Sequence, residues 1–512
     1  MSFFSKLTGF GRMCLILLVV LVIGGIALFV GKSAGVNVSN VFSSSSSSDD
    51  DDYDAVLLVD TYTGWAPIVW GNGGKKGSTE SQFYKKFGVK LKIIQMDDFD
   101  GATSYWKEHD NALRFCTLDS YPVEASSDGT MTDARYFMIH NFSCGADAIV
   151  ATKNIRTVSD LKGKKIACSE GTASHSLLLN TLSAAGLNGK DVNVMTTGYG
   201  SDVATAFKAG VVDAAVVFCP DDDACIKNVP GTHILTSTKQ ANTLITDGFL
   251  AHSEWLEKNK DKAAKIAEAL MWANSEMTNS KEVYKEVCQT FSKEFDVPLE
   301  DVMTVGSKIN FATLADNVNW FGLNTSYKGI TGEDLYTKMS QIYGSLGLAK
   351  ATLPWRRISV TDIIESLMSN NDLDNNQDAC GTKERTFAAP TEKITSAESF
   401  SDKEVIINFP VNGYTLDADA ETIIEREFLT VIKQFNNTYV RIEGNTDNTG
   451  NYSQNVALSK ARAQEVADYL VRCGVDKNRL IVVGNGPDRA IKDGVKGSNQ
   501  NYRTTSMKLV QQ

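Results

Sequence analysis

The sequence has no excess of basic residues and no metal-type cysteine pattern, and each absence removes a class of function. Asp and Glu outnumber Lys and Arg by 62 to 51, which gives a net charge of -11 over 512 residues and an isoelectric point near 5.2. A phosphate backbone selects the opposite balance, so nucleic acid is excluded as a partner. The nine cysteines, Cys14, Cys116, Cys144, Cys168, Cys219, Cys225, Cys288, Cys380 and Cys473, contain no CxxC pair and no Cys/His spacing suited to zinc. They read as buried thiols, although Cys219 and Cys225 are near enough in sequence to bridge in an oxidising compartment. No Ser/His/Asp or metal constellation stands out either, so the chain is not expected to be an enzyme and no cofactor is called for.

Charge is missing altogether from Met13 to Val30, "MCLILLVVLVIGGIALFV". A bilayer core asks roughly 18 to 20 apolar residues of a helix. The run is longer than a signal-peptide core and no A-x-A cleavage site follows it, while Cys14 lies at the wrong end for a lipoprotein cysteine. An uncleaved transmembrane helix is therefore expected over 13–31. Lys6 and Arg12 precede it and Asp49 to Asp52 come after it, a bias that puts 1–12 in the cytoplasm and the rest beyond the inner membrane. The span carries no acid of the kind a proton-driven stator would use.

Beyond the span the chain divides by composition. "VFSSSSSSDDDDYD" is too polar to pack, which makes 32–53 a tether of at most roughly 75 Å. A second polar break covers 368–403, leaving a large domain at 54–367 and a small one at 404–512. Asp372, Asp374 and Asn376 in that break lack the Gly and Glu of a calcium loop. The large domain alternates β-branched runs ("AVLLVD", "VKLKIIQM", "DAIVAT", "KKIACS", "VNVMTT", "DAAVVF") with helical spacing, then turns mainly helical from Ser253 to Leu348. That alternation reads as α/β with mostly parallel sheets. The small domain mixes strands and helices, with "EVIINF" as its first strand.

In the small domain, Asp447 comes just after a strand and Arg462 opens the next helix. An acid beside a guanidinium can grip an ammonium and a carboxylate carried on one carbon. On spacing alone an ordinary turn-capping salt bridge explains the pair as well. Asn455, Leu458, Ser459, Arg462, Ala463, Val466 and Leu470, however, fit N-x-x-L-S-x-x-R-A-x-x-V-x-x-x-L, and "NTDNTG" precedes them. This stretch resembles the OmpA-like peptidoglycan-binding domain. The resemblance implies an α+β fold over 404–509 in which Asp447 and Arg462, with Thr446 and Asn455 beside them, bind the diaminopimelate peptide stem of peptidoglycan. Tyr502 stands where that family usually shows the first of two arginines, which weakens any role for Arg503.

In the large domain, "SEGTASH" ends a strand and starts a helix, and free N–H groups there can seat an anionic group or simply begin a helix. The run Ile155 to Leu187, with "GADAIVATKNI", "ATAFKAGVVDAAVVFCPD" and "LITDGFLAH", resembles the periplasmic solute-binding proteins for nitrate, sulfonates and taurine. The resemblance implies two α/β lobes closing on a solute, with crossings near Ala151 to Lys153 and Phe249 to His252. The expected cleft residues are Trp65, Ser120, Tyr121, Asp147, Thr172, Ser174, His175 and Asp247, with Gly64 and Phe218 to Asp221 nearby. Each has a plainer reading: Trp65 as core, the two aspartates as turn caps, His175 as a surface residue. If both aspartates face inward, the solute is expected to be zwitterionic or amine-bearing, with Trp65 and Tyr121 over its apolar part. The group it resembles also includes enzymes that build a thiamine pyrimidine, but their clustered cysteine motif is absent here.

Together these readings anticipate a solute receptor anchored in the inner membrane and tethered to the wall, serving an ABC-type transporter or a sensor. The alternative is a structural brace between membrane and wall with a vestigial cleft.

Overall fold

The computed structural model describes residues 52–127, 131–198, 200–370, 373, 387–407, 409–410 and 412–511. The expected span at 13–31, nearly all of the tether and the Asp372, Asp374, Asn376 run lie outside the described residues. Among the described residues, no helix is long and apolar enough to cross a membrane.

The large domain is built on two sheets. In the first, strands run in the order Ile309–Phe311, Ala134–Ser143, Thr246–His252, Ala112–Thr117, Ala55–Val59, Leu91–Gln95. In the second the order is Asn193–Thr196, Lys165–Cys168, Ala214–Phe218, Asp147–Ala151, His233–Ser237. Ala55–Val59 is buried along its whole length, as the unbroken run "AVLLV" requires of a strand covered on both faces. Parallel pairing holds between Ala55–Val59 and both its neighbours, and between Lys165–Cys168 and both of its own. The other pairs are antiparallel, because the strands that enter and leave each lobe run against the rest. The sheets are thus mixed rather than mostly parallel.

The crossings lie elsewhere than expected. Ala151 ends a strand inside the second sheet and Phe249 to His252 lie inside the first, so the chain passes between lobes at 144–146 and 238–245. An apolar β-branched run does not mark where a strand changes sheets. The two crossings are stapled through one hydroxyl. Thr238 Oγ1 sits 2.8 Å from Ser143 Oγ, accepts from the Gly145 N–H at 2.8 Å, and lies 3.3 Å from the Asp147 N–H. Ser143 N–H also donates to Ile245 O at 3.0 Å.

Helices Lys260–Asn279, Lys281–Phe295 and Leu299–Gly306 back the first lobe. Trp272 anchors that packing by stacking on Trp70, with ring centroids 5.6 Å apart.

The C-terminal sheet has the order Ser401–Val405, Thr505–Val510, Tyr439–Asn445, Leu480–Gly486, with the helix Tyr452–Arg472 against it. Its first strand begins at Ser401, inside the expected break, rather than at "EVIINF". A helix at Glu392–Ser396 also falls in that break. Polar composition there hides Phe387 and Phe400, both of which are buried. Nor does the domain stand apart. Phe400 O accepts from the Val158 N–H at 2.8 Å and Ser401 Oγ donates to Ala184 O at 2.8 Å. Asn437 donates through its backbone N–H to Gln240 O and through Nδ2 to Lys239 O, at 3.2 and 2.9 Å. The domain is thus fastened to the second lobe and to the returning crossing.

Because Thr238 satisfies several buried groups at once, Thr238→Ala should cost about 1 to 3 kcal/mol, the usual penalty for orphaned buried donors. Urea unfolding monitored by tryptophan fluorescence reads the shift, and an unchanged midpoint would show that the staple contributes nothing.

Candidate functional site

A cavity of about 320 Å³ lies between the two lobes. The first lobe supplies Asp60, Thr61 and Tyr62 from the end of strand Ala55–Val59, Asp97 and Phe99 from the end of Leu91–Gln95, and Thr117, Ile245 and Asp247. The second supplies Asp147, Ala173, Ser174, Gly200, Val203, Val216 and Phe218. These are the carboxyl ends of strands and a helix start, where α/β folds hold ligands. Tyr62 meets Phe218 edge to face across the lobes, with centroids 5.9 Å apart. Among the described residues, no Lys, Arg or His lines the cavity.

Its carboxylates are held in different ways. Asp97, at the exposed mouth, accepts from the backbone N–H and the hydroxyl of Thr61, at 2.6 and 2.9 Å. Asp60 accepts from Trp65 Nε1 at 2.7 Å, Asp147 from Ser143 Oγ at 2.7 Å, and Asp247 from Thr117 Oγ1 at 2.8 Å. Burial pushes the Asp60 carboxyl up to about 6, with the Asp97 charge adding to it. Burial likewise takes Asp147 up to about 6, with Asp222 adding, and takes Asp247 well above the usual carboxylate range.

Of the eight residues expected in the cleft, Asp147, Ser174 and Asp247 line it. The others stand behind. Trp65 is buried, its indole N–H on Asp60 and its ring stacked near His140 at 5.6 Å. Tyr121 is buried beside Tyr336. Ser120 donates to Thr117 O and Thr172 Oγ1 to Ser169 O, so both tie down loops. His175 is buried, accepts at Nδ1 from the Gly171 N–H at 3.2 Å, and is held down to about 4 by burial. The helix Ala173–Ala184 has no side-chain cap on its first turn, and Ala173 and Ser174 present that turn to the cavity.

The second site lies at the C-terminal end of strand Tyr439–Asn445. Asp447 does not pair with Arg462; it pairs with Arg503, whose Nε lies 2.7 Å from Asp447 Oδ2. The Asn499 N–H at 3.1 Å and the Thr449 hydroxyl complete its shell. Burial works to raise the Asp447 carboxyl, yet the Thr449, Arg503 and Asn499 hydrogen bonds hold it below the usual range. Arg462 donates to Gly413 O at 3.0 Å and Pro410 O at 3.3 Å, and its guanidinium lies 5.0 Å from the Phe409 ring centroid. Asn455 Nδ2 donates to Thr449 O at 2.7 Å, fixing the loop, and Thr446 is buried with its N–H on Gly486 O at 2.8 Å. Arg503, whose role the Tyr502 departure weakens on the motif pattern alone, is thus the residue that takes the acid, while Tyr502 donates to Asp493 Oδ2 at 3.0 Å.

Comparison with known proteins agrees with both halves. Residues 408–504 match the OmpA family and residues 78–282 match the family described as NMT1/THI5 like. A peptidoglycan-associated lipoprotein of Rhizobium meliloti (strain 1021) is 31% identical over 103 residues, 20% of this chain and 58% of that one. A protein of Escherichia coli (strain K12) named for binding aliphatic sulfonates is 34% identical over 146 residues, 28% of this chain and 44% of that one. The chain spans about half the length of the curated relatives it matches. The crystal structure of the periplasmic aliphatic sulphonate binding protein of Escherichia coli aligns at 19% identity and a TM-score of 0.47, over 59% of this chain and 97% of that one. The chain therefore carries an α/β domain matched in part by the NMT1/THI5-like family and, after it, a domain matched by the OmpA family.

Asp60, Tyr62, Asp97 and Phe99 escape the sequence reading, although a signal for them exists. "LLVD" and "IIQMDDF" each end a strand in an acid at the carboxyl edge of a sheet.

With Asp147 titrating near 6 when folded against 3.8 in its ordinary state, the folded chain binds the extra proton between those values, so ionisation above pH 6 costs stability. Asp147→Asn should stabilise the ligand-free protein by roughly 1 to 3 kcal/mol at pH 7 to 8. The gain should shrink as pH falls through 6 and be gone near pH 4 in thermal unfolding. A variant less stable than wild type at pH 8 would contradict this.

Proposed function

We propose that the chain is a cell-wall-tethered receptor for a small polar solute, held at the inner membrane by 13–31 and presenting its cleft to an ABC-type transporter or a sensor in the periplasm. The observation that carries the reading is the cavity between two stapled lobes, fastened to a domain of the OmpA family. The wall ligand is the diaminopimelate peptide stem, met by Asp447 and Arg462. Asp447 is kept ionised by its shell, and the Nη1 of Arg462 donates to no group of the described chain. An ammonium would compete with Arg503 for Asp447, and the ligand's carboxylate would take the open side of Arg462.

One relative is named for aliphatic sulfonates. A sulfonate in this cleft would meet Asp60, Asp97, Asp147 and Asp247 with no basic side chain among the described residues that line it, so we take the receptor role from that relative and leave its solute. Binding is favoured over catalysis because the relatives that the large domain matches are named as binding proteins. It is favoured over a passive brace because acids buried around a cleft cost stability that only a ligand returns.

The full chain should sediment with peptidoglycan containing diaminopimelate, and Asp447→Ala or Arg462→Ala should each abolish it. Retention by both variants would sink the clamp. Protease outside spheroplasts should digest the bulk while sparing 1–12, and a mature N-terminus after Lys32 would show instead that the span is removed.

A further inference from the structure

We propose that the cleft binds an unbranched aliphatic chain carrying two ammonium groups. The inference rests on the receptor reading and assigns its solute.

Four observations converge on it. The cavity is lined by Asp60, Asp97, Asp147 and Asp247 and, among the described residues, by no Lys, Arg or His. A cleft lined by one sign of charge concentrates ions of the other. Two of these acids are also incomplete. Asp147 and Asp247 are only 6% and 5% exposed, and each has one carboxylate oxygen engaged, by Ser143 and Thr117 respectively. No group of the described chain donates to the other oxygen. A buried carboxylate left half-bonded against a cavity is a site for an incoming donor, since the penalty of burial is relieved when the donor arrives.

The acids are also dispersed. Among the described residues, no three His, Cys, Asp or Glu side chains gather closely enough to hold one metal ion. Asp60, Asp97 and Asp247 belong to the first lobe while Asp147 stands on the second. Positive charge offered to acids on both lobes suits an extended diamine better than a single bare cation. The wall between those points is apolar, made by Tyr62, Phe99, Phe218, Val203, Val216 and Ile245. Methylenes suit it, and hydroxyl-rich or anionic solutes do not. An ammonium on Asp147 and another on the Asp60 and Asp247 side would bridge the lobes and draw them together.

The uncapped first turn at Ala173 and Ser174 offers an electropositive feature of the cavity. A diamine and a diamino acid share the two-ammonium chemistry, and only the second would use that turn.

Calorimetry on the full chain, with 1,4-diaminobutane, lysine, n-butylamine, ethanesulfonate and calcium as probes, tests the assignment. Diaminobutane or lysine should bind, and n-butylamine should be weaker by about tenfold or more, each charged hydrogen bond being worth about that. Tighter binding of lysine places a carboxylate at Ala173 and Ser174; tighter binding of diaminobutane places none there. Asp147→Asn and Asp247→Asn should each weaken the better probe by about ten- to hundredfold. Asp97→Asn at the exposed mouth should weaken it a few-fold. Unfolding midpoints at or above wild type establish that the variants are folded. Binding of ethanesulfonate alone, or of calcium alone, overturns the diamine and leaves the receptor standing. Heat from none of the five, together with no bound solute in the purified chain, overturns both.

Discussion

Asp147 occupies the place where the chain leaves one lobe for the other, and much of the molecule's behaviour stems from that position. Its carboxylate is bonded to Ser143 on the outgoing crossing, and its backbone N–H reaches Thr238 on the returning one. A hinge needs its polar groups satisfied in little space, and Thr238 does this for both segments. The same placement puts a buried charge at the back of the cleft. Asp60 and Asp247 face it from the first lobe, and burial raises all three carboxyls. Without a ligand the cleft is thus a strained arrangement whose cost is set by desolvation and mutual repulsion.

The C-terminal domain adds a second constraint. It is bonded to the second lobe at Val158, Ala184 and Leu235 and to the crossing at Lys239 and Gln240. Lys338 lies at this interface on Gln434 Oε1, with burial first and the Lys403 charge second taking it down to about 7. The proposed wall-binding surface and the cleft are therefore parts of one packed body among the described residues, with Asp447 and Asp147 held in different ways. Asp447 is surrounded by donors and kept ionised, whereas Asp147 is short of them.

Much of this architecture is legible in sequence. The six β-branched runs form strands, the stretch after Ser253 forms helices, and the spacing around Arg462 identifies the OmpA domain. What sequence does not disclose is which face a residue takes. Trp65, Tyr121 and His175 carry the residue types of a binding site, yet all three are buried behind the cleft, because an aromatic suits core and platform alike. Asp60 and Asp97 pass unnoticed because an acid after a strand is also an ordinary turn residue, and only the meeting of two strand ends makes them neighbours. The partner of Asp447 is also illegible, since Arg503 reaches it from 56 residues away. The crossings are displaced because the apolar runs at Ala148 to Ala151 and Phe249 to Ala251 lie within the sheets and not between them.

The central claim is that a buried, acid-lined cleft holds a small cationic solute on a chain that also grips the wall. Native mass spectrometry of the full chain purified without added ligand tests it most directly. The account predicts a bound small amine that is retained by wild type and lost from the Asp147→Asn, Asp247→Asn double variant. An empty wild-type chain, or a bound anion that the double variant keeps, would contradict it.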